Sequence, residues 1–538
     1  MNTAEQPSPP EVVKTSIAGR LFGALTLLIW IAGICLAFYA RRLDDRAFFV
    51  LAVILTTVVG SLFGLIWFSW FGPAKLKTRK LVGRFALVAL FLFMLTVRLD
   101  EVTGGMRPKF RFVWNPKTDQ RLEKITVTDS QDGGIDLAST TIEDFPQFLG
   151  IKRSGHIDGP TLATDWTTNP PREVWRQPIG AGWSSFSIVN GFAVTMEQRG
   201  PEELVTCYEV ATGESKWAHS MEFRHETVMG GVGPRATPSI DEGRVYAVGA
   251  TGVMRCLDGK DGSLLWQKDL VTEFGGDHEA DQSAIAWGRS GSPLVTQGMV
   301  IVPSGSANSD RATLVAFDKV SGDLLWKAGD STASYSSPVA ATLGGVEQIL
   351  FVAEEVLLAF SIDTGEQLWS WEWPGKSSAN ANVSQPHAIG NDRVFLSKGY
   401  GQGCEMLQVK NVENEWTVES VWRKPTYLKT KFTNVVVHDG MAFGLDDAIM
   451  QCVELETGRK LWKRGRYGFG QVLGVGDLLI VQAENGRVLL VDAADKFKEL
   501  TEFQAIEGKT WNNPALYGRF LLVRNSQEAA CYELPLGE

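Results

Sequence analysis

The chain has 538 residues and a formal net charge of −10, with 52 Lys and Arg against 62 Asp and Glu. It is too long for one ordinary compact core, so several domains or a repeat architecture are expected. Hydrophobic residues at 44% and charged residues at 21% look average, but the first fifth is very apolar and the remainder is polar and rich in Gly and Trp. No basic stripe interleaved with aromatics runs through that remainder, which argues against nucleic acid as a partner.

Residues 1–18 read as an N-terminal tail and 19–99 as a transmembrane region. The stretches 21–40 (LFGALTLLIWIAGICLAFYA) and 47–71 (AFFVLAVILTTVVGSLFGLIWFSWF) carry no charge and reach the roughly 20 residues that a helix needs to cross a bilayer. A third span is expected over about 81–98, with Arg84 snorkelling to one interface. The first apolar run is too long for a cleaved signal peptide and no A-x-A-like site closes it.

Three spans divide the flanking positive residues evenly: Lys14, Arg20, Lys75, Lys77, Arg79, Lys80 and Arg84 against Arg41, Arg42, Arg46, Arg98, Arg107, Lys109 and Arg111. The density of the Lys75 to Arg84 cluster favours a cytoplasmic loop there and the following domain outside. Residues 100–145 show no sustained periodicity and read as a linker.

Beyond residue 180 one unit recurs: CYEVATGESKW, CLDGKDGSLLW, AFDKVSGDLLW, AFSIDTGEQLW and CVELETGRKLW. Each is an apolar strand, a Gly turn and a Trp four residues after the Gly. The turn glycines are Gly213, Gly262, Gly322, Gly365 and Gly458, in steps of 49, 60, 43 and 93 residues. The last step spans two repeats, and degenerate copies fall at Leu407 to Trp422 and Val488 to Leu500. Such periods, with about four short strands each, indicate propeller blades.

A second signal gives the count. The openings WSSF, ATPS, GSPL, SSPV, SQPH, TNVV, GQVL and NNPA place Ser185, Thr237, Ser292, Ser337, Gln385, Asn434, Gln471 and Asn513 at equivalent positions, eight in all. The fold expected is therefore all-β, an eight-bladed β-propeller over residues 146–538, preceded by about three transmembrane helices. The chain ends before blade 8 has an outer strand, and EVWRQPIG (Glu173 to Gly180) is the candidate to complete it. Two readings of the opening residues stand: a polar ring at the channel mouth, or side chains that satisfy backbone groups where strands begin.

The repeats resemble the pyrroloquinoline-quinone (PQQ)-type repeats of quinoprotein dehydrogenases and of BamB-like outer-membrane-assembly lipoproteins. PQFLG, GPRATPSI, RVYAVGATG, SYSSPV and RYGFGQ are similar to PQQ-like propellers of planctomycete type. The resemblance covers about residues 146–538 and implies a propeller on the periplasmic side of the inner membrane. It also raises a quinoprotein alcohol or sugar dehydrogenase using PQQ with Ca²⁺. Adjacent cysteines, common against the quinone in such enzymes, are missing, the six standing at 35, 207, 256, 404, 452 and 531, and no C-x-x-C-H haem site occurs.

Asp277, Glu279 and Asp281 alternate as in the first half of a calcium loop, but Gln282 and Gly288 stand where Gly and a bidentate Glu are needed. A solvated blade-connecting loop is the expectation there, with no metal. Four cysteines share one strand position and are expected to be free, buried thiols. No catalytic residue and no cofactor is assigned. The favoured reading is a membrane-tethered binding or scaffolding propeller with a protein, glycan or small-molecule ligand. Trp183, Arg235, Trp287, Arg289, Tyr335 and Trp511 are the candidate contacts on its binding-face loops.

Overall fold

The structure is a computed structural model that describes residues 16–42, 46–125, 134–305, 312–374 and 381–537, so Lys14 and most of the tail lie outside the described residues. The chain divides into two units, residues 1–116 and 117–538.

The first unit holds three helices, α1 (Ile17–Arg42), α2 (Arg46–Phe71) and α3 (Leu76–Thr96). Small residues let α1 and α2 approach closely: Gly33 faces Thr56, Gly60 faces the Trp30 indole, and Phe22 stacks on Phe63 at 5.7 Å. Pro73, which cannot continue a helix, follows the end of α2. Among the described residues only α1 and α2 are long and apolar enough to cross a membrane. This corrects the expected third span. Lys77, Arg79, Lys80 and Arg84 occupy the first part of α3. The uncharged run from Phe85 to Thr96 covers about 18 Å, well short of the ~30 Å hydrocarbon core. After α3 the chain forms a two-stranded hairpin, Val97–Val102 with Pro108–Phe112.

The second unit is an eight-bladed β-propeller. Blades 1 to 7 begin with the innermost strands Ser187–Val189, Ser239–Asp241, Leu294–Thr296, Val339–Leu343, His387–Ile389, Val436–His438 and Gln471–Val475. Each continues outward as an antiparallel meander of four strands. Blade 8 contains Ala515–Tyr517, Phe520–Arg524 and Glu528–Glu533, and its outer strand is Arg172–Pro178, paired antiparallel to Glu528–Glu533. The closing strand expected from the sequence is the one found. It removes the edge that blade 8 would otherwise expose.

The repeat owes its residues to packing between blades. In blade 4 Ala359 faces Trp369 directly across the outer strand pair, and in six other blades a small or flexible residue likewise faces the Trp: Cys207 and Trp217, Cys256 and Trp266, Ala316 and Trp326, Met406 and Trp422, Cys452 and Trp462, Cys531 and Trp175. Those six indoles reach into the next blade and donate to a carbonyl there, as Trp217 Nε1 does to Gly259 at 2.9 Å and Trp462 Nε1 to Ala494 at 3.0 Å.

The degenerate copies have structural causes. In blade 5 the longer strands Gly403–Val412 and Glu415–Lys424 replace the Gly turn, so Trp369 of blade 4 donates instead to Gln348 Oε1 at 2.7 Å. In blade 7 Thr501 stands opposite Leu490 where a Trp is usual. Trp166 fills in, packing edge-on to Phe503 at 5.4 Å.

Candidate functional site

The channel through the propeller differs at its two ends. Its lower end is crossed by a strap, residues 145–157. Phe145 bridges to Ile188 of blade 1, Pro146 accepts from the Ile240 amide of blade 2, and His156–Ile157 pairs parallel with Gly474 and Val475 of blade 7. Midway, the buried Arg153 donates to the carbonyls of Pro293 and Ser292 at 2.7 and 3.0 Å, and Gln385 Nε2 of blade 5 donates to the Arg153 carbonyl at 2.9 Å. Burial pushes the Arg153 guanidinium below its ordinary pKa, and the carbonyl acceptors offset that cost. A cavity of about 460 Å³ lies beside the strap, lined by Ile151, Ile157, Pro160, Val437 and Leu516 among others. Two of its polar groups are engaged already: His156 with the Gly476 carbonyl, and Asp144 as acceptor from Thr141.

At the upper end the eight opening residues form a ring in which most polar groups bond to one another or to backbone carbonyls, while Gln385 Oε1 and Gln471 Oε1 have no hydrogen-bond partner among the described residues. The Ser185 amide donates to Thr237 Oγ1 at 3.0 Å, the Thr237 amide to Ser292 Oγ at 2.9 Å, and the Ser292 amide to Ser337 Oγ at 2.9 Å. Further round, the Gln385 amide donates to Asn434 Oδ1 at 2.7 Å, Gln471 Nε2 to the carbonyls of Phe432 and Trp511, and Ser185 Oγ to the Asn513 carbonyl. Seven of the eight are buried, Asn513 being half-buried. They lace neighbouring blades together around the axis.

The residues two positions before each opening are different. Trp183, Arg235, Ser290, Tyr335, Val383, Phe432, Phe469 and Trp511 occupy this place in blades 1 to 8, and five of the eight are aromatic. They converge over the mouth. Trp183 lies 5.0 Å from Trp511, Trp511 is 4.9 Å from Phe432, and Phe432 is 5.7 Å from Phe469. Trp287 extends the chain, edge-on to Phe432 at 6.3 Å and stacked on Tyr335 at 5.0 Å. Four of the six binding-face residues proposed from the sequence thus belong to one aromatic cluster. Phe432 and Phe469, at its centre, were missed although the spacing that located the openings would have found them.

Cations are set among these rings. Lys509 Nζ lies 4.2 Å from the Trp511 ring and 4.9 Å from that of Trp183, and Lys431 Nζ is 5.3 Å from Phe469. Trp511 Nε1 donates to Glu484 at 3.0 Å, and Lys431 pairs with Asp447 at 3.2 Å. Arg235 holds the loop carbonyls of Gly230 and Gly231, with burial lowering its pKa to about 10. Arg289 is locked in a buried pair with Asp281 at 2.7 Å. At the same end of blade 5, Lys398 is buried with no hydrogen-bond partner for its Nζ among the described residues, and desolvation lowers its pKa to about 8.

The three carboxylates of the calcium-like run do not converge. Asp277 caps α4 (His278–Ala284) by accepting from the Ala280 amide, Glu279 is exposed, and Asp281 is taken by Arg289. Where a solvated loop was expected there is a short helix. Among the described residues no group of three or more His, Cys, Asp or Glu could hold a metal ion.

Residues 201–464 match the family described as outer membrane protein assembly factor BamB. The propeller is BamB-like, of the PQQ repeat type. A BamB of Shewanella oneidensis is 23% identical over 361 residues, covering 64% of this chain and 84% of the relative, and one of Burkholderia pseudomallei is 21% identical over 287 residues, covering 52% and 68%. Among solved structures, BamB of Moraxella catarrhalis aligns with a TM-score of 0.49 at 13% identity, covering 68% of this chain and 99% of that one. A quinohemoprotein alcohol dehydrogenase from Pseudomonas putida also aligns at 0.49, with 11% identity, covering 76% and 84%.

Proposed function

We propose that this BamB-like chain is a membrane-tethered binding or scaffolding module that takes a protein segment at the upper mouth of its propeller. The observation that carries this is the eightfold position before the openings, which gathers Trp183, Tyr335, Phe432, Phe469 and Trp511 with Lys431 and Lys509. Trp183, Phe432 and Trp511 are half-buried and supply apolar area with fixed geometry over the buried Tyr335 and Phe469, and the positive charge of Lys431 and Lys509 beneath them suits carboxylates. A glycan face or a small aromatic molecule fits the same chemistry and forms the second ligand class. The relatives' printed role in assembling outer membrane proteins supports a protein partner.

The competing reading is a quinoprotein alcohol or sugar dehydrogenase. A flat tricyclic quinone with Ca²⁺ needs an open slot over the channel and a set of free carboxylate and amide oxygens. Here Phe432 packs against Trp287, Phe469 and Trp511 across the mouth, and the opening residues include no carboxylate: the Ser292 and Ser337 hydroxyls bond to neighbouring blades, and of the free amide oxygens Gln385 Oε1 and Gln471 Oε1 are buried beneath the aromatic cluster. The residues present do not fit the cofactor. Two experiments on the full chain, one in cells and one on purified protein, test the pair of readings. A photo-crosslinker at Trp511 should capture a discrete protein in cells, with capture reduced by Phe432→Ala. Stoichiometric retention of added PQQ with Ca²⁺, together with dye reduction by alcohols or sugars, would overturn the binding reading.

We further infer a multi-pass anchor in the inner membrane with the propeller in the periplasm. Assembly of outer membrane proteins is work done outside the cytoplasm, which supports this side. With two crossings the tail and the propeller share a side, so the basic run Lys75 to Arg84 opposes it. A C-terminal alkaline phosphatase fusion active in cells supports the orientation, and an inactive fusion overturns it.

A further inference from the structure

The hairpin after α3 has two chemically distinct faces. Pairing sets Val97 opposite Phe112 and Leu99 opposite Phe110, and alternation along each strand puts these four on one face. Trp114 joins them, stacked on Phe112 at 4.8 Å. All but Val97 are largely open to their surroundings: Leu99 43%, Phe110 58%, Phe112 51% and Trp114 66% exposed. The other face is charged and internally paired, Lys109 with Glu101 and Arg111 with Asp100, both at 2.9 Å.

We propose that this hairpin is a membrane-surface element whose apolar face, Leu99, Phe110, Phe112 and Trp114, inserts into the interface of an anionic bilayer. Continuity argues for lipid over protein. The strand begins at Val97, directly after the last residue of α3, and the Val113 amide donates to the Thr96 carbonyl at 2.9 Å, fixing the hairpin to the helix end. Phe93 of α3 meets Phe110 edge-on at 6.1 Å, so the apolar surface of the helix, in which no residue is buried, runs on into that of the hairpin. Phe and Trp are suited to the headgroup boundary. Arg98, Arg107, Lys109 and Arg111 outnumber Asp100 and Glu101, which favours an anionic surface. The proposal rests on the reading of α1 and α2 as membrane crossings.

The test uses the full chain with Cys35→Ser, reconstituted in phosphatidylcholine and phosphatidylglycerol vesicles. Nitroxides are placed one at a time at Phe110→Cys, Lys109→Cys and, within α1, Leu28→Cys. Collision with oxygen reports lipid and collision with a water-soluble nickel chelate reports water. Expected are oxygen-rich, nickel-poor signals at 28 and 110 and the reverse at 109, a several-fold contrast between adjacent residues of one strand. If Leu28 sits in lipid while Phe110 is as nickel-accessible as Lys109, the hairpin proposal alone is overturned. A label at 110 shielded from both reagents means a protein contact and also overturns it. Nickel access at Leu28 overturns the membrane reading and the hairpin with it.

Discussion

The indole of Trp217 in blade 1 packs against Gly262 in the outer turn of blade 2, so closely that a Cβ on Gly262 would lie 2.6 Å from the ring, while Trp217 Nε1 bonds the Gly259 carbonyl of the same turn. Trp175 and Gly213 repeat the relationship where blade 8 meets blade 1, and Trp266 and Gly322 where blade 2 meets blade 3. The Trp and Gly that mark each repeat in sequence are therefore partners across a blade boundary.

That relationship separates two roles of glycine. Gly262 and Gly298 both have positive φ, 74° and 78°, but nothing lies within 4 Å of a Cβ at Gly298. Gly298→Ala should cost only the backbone term, about 1 kcal/mol. Gly262→Ala adds overpacking against Trp217 and should cost about 1–3 kcal/mol more. Urea unfolding followed by Trp fluorescence compares them, and equal midpoints would contradict the packing role.

Arg153 anchors the strap inside the channel. Arg153→Met keeps volume but leaves the Ser292 and Pro293 carbonyls without their donors, which should lower stability by about 2–4 kcal/mol. Arg153→Lys should not rescue it, because an ammonium cannot span both acceptors with the guanidinium's geometry. Hydrogen exchange in the strap, residues 145–157, should rise in both variants.

Stability should fall in mild acid. Burial pushes His387 down to about 4 from an ordinary value of 6.5. The unfolded chain therefore binds the proton first. The contribution is complete above about pH 6.5 and is lost as pH falls through 4, by on the order of 3 kcal/mol. His225, lowered to about 3 by burial and then by Arg235, adds to the loss over the same range and carries it further down. His387→Leu should flatten the dependence of the unfolding midpoint between about pH 7 and 4, and an unchanged slope would exclude His387 as its source.

All six cysteines are free, and every one but Cys35 is buried. Burial raises the thiol pKa of Cys256 to about 11 and those of Cys452 and Cys531 to about 12, with Cys207 and Cys404 also raised. Thiolate is the reactive form. Folded protein should react quickly at Cys35 at most, and unreduced protein in denaturant should titrate all six. A titre of four or fewer would mean disulfides that strand spacing forbids.

Much of the propeller was legible because its signals are periodic. Gly213, Gly262, Gly322, Gly365 and Gly458 recur at blade spacing, as do the residues from Ser185 to Asn513, and the unfinished CYELPLG required a closing strand that Glu173 to Gly180 could supply. The helices α1 and α2, long and apolar enough to cross a membrane, were legible from length and apolarity. A third crossing was overread in α3, where the basic residues inside the helix leave too short an apolar run.

The sequence by itself determined the eight blades, their order and their closure, since each blade repeats the same local demands on turn, strand and packing. Only the tertiary structure decided that the opening residues bond neighbouring blades, that Arg153 ties the strap to the Ser292 and Pro293 carbonyls, and that Phe432 and Phe469 join Trp183, Trp287, Tyr335 and Trp511. Those outcomes depend on where distant blades direct their side chains when the ring closes. Local pattern fixes the spacing of residues along a strand, but their meeting across the axis is set by the closed ring.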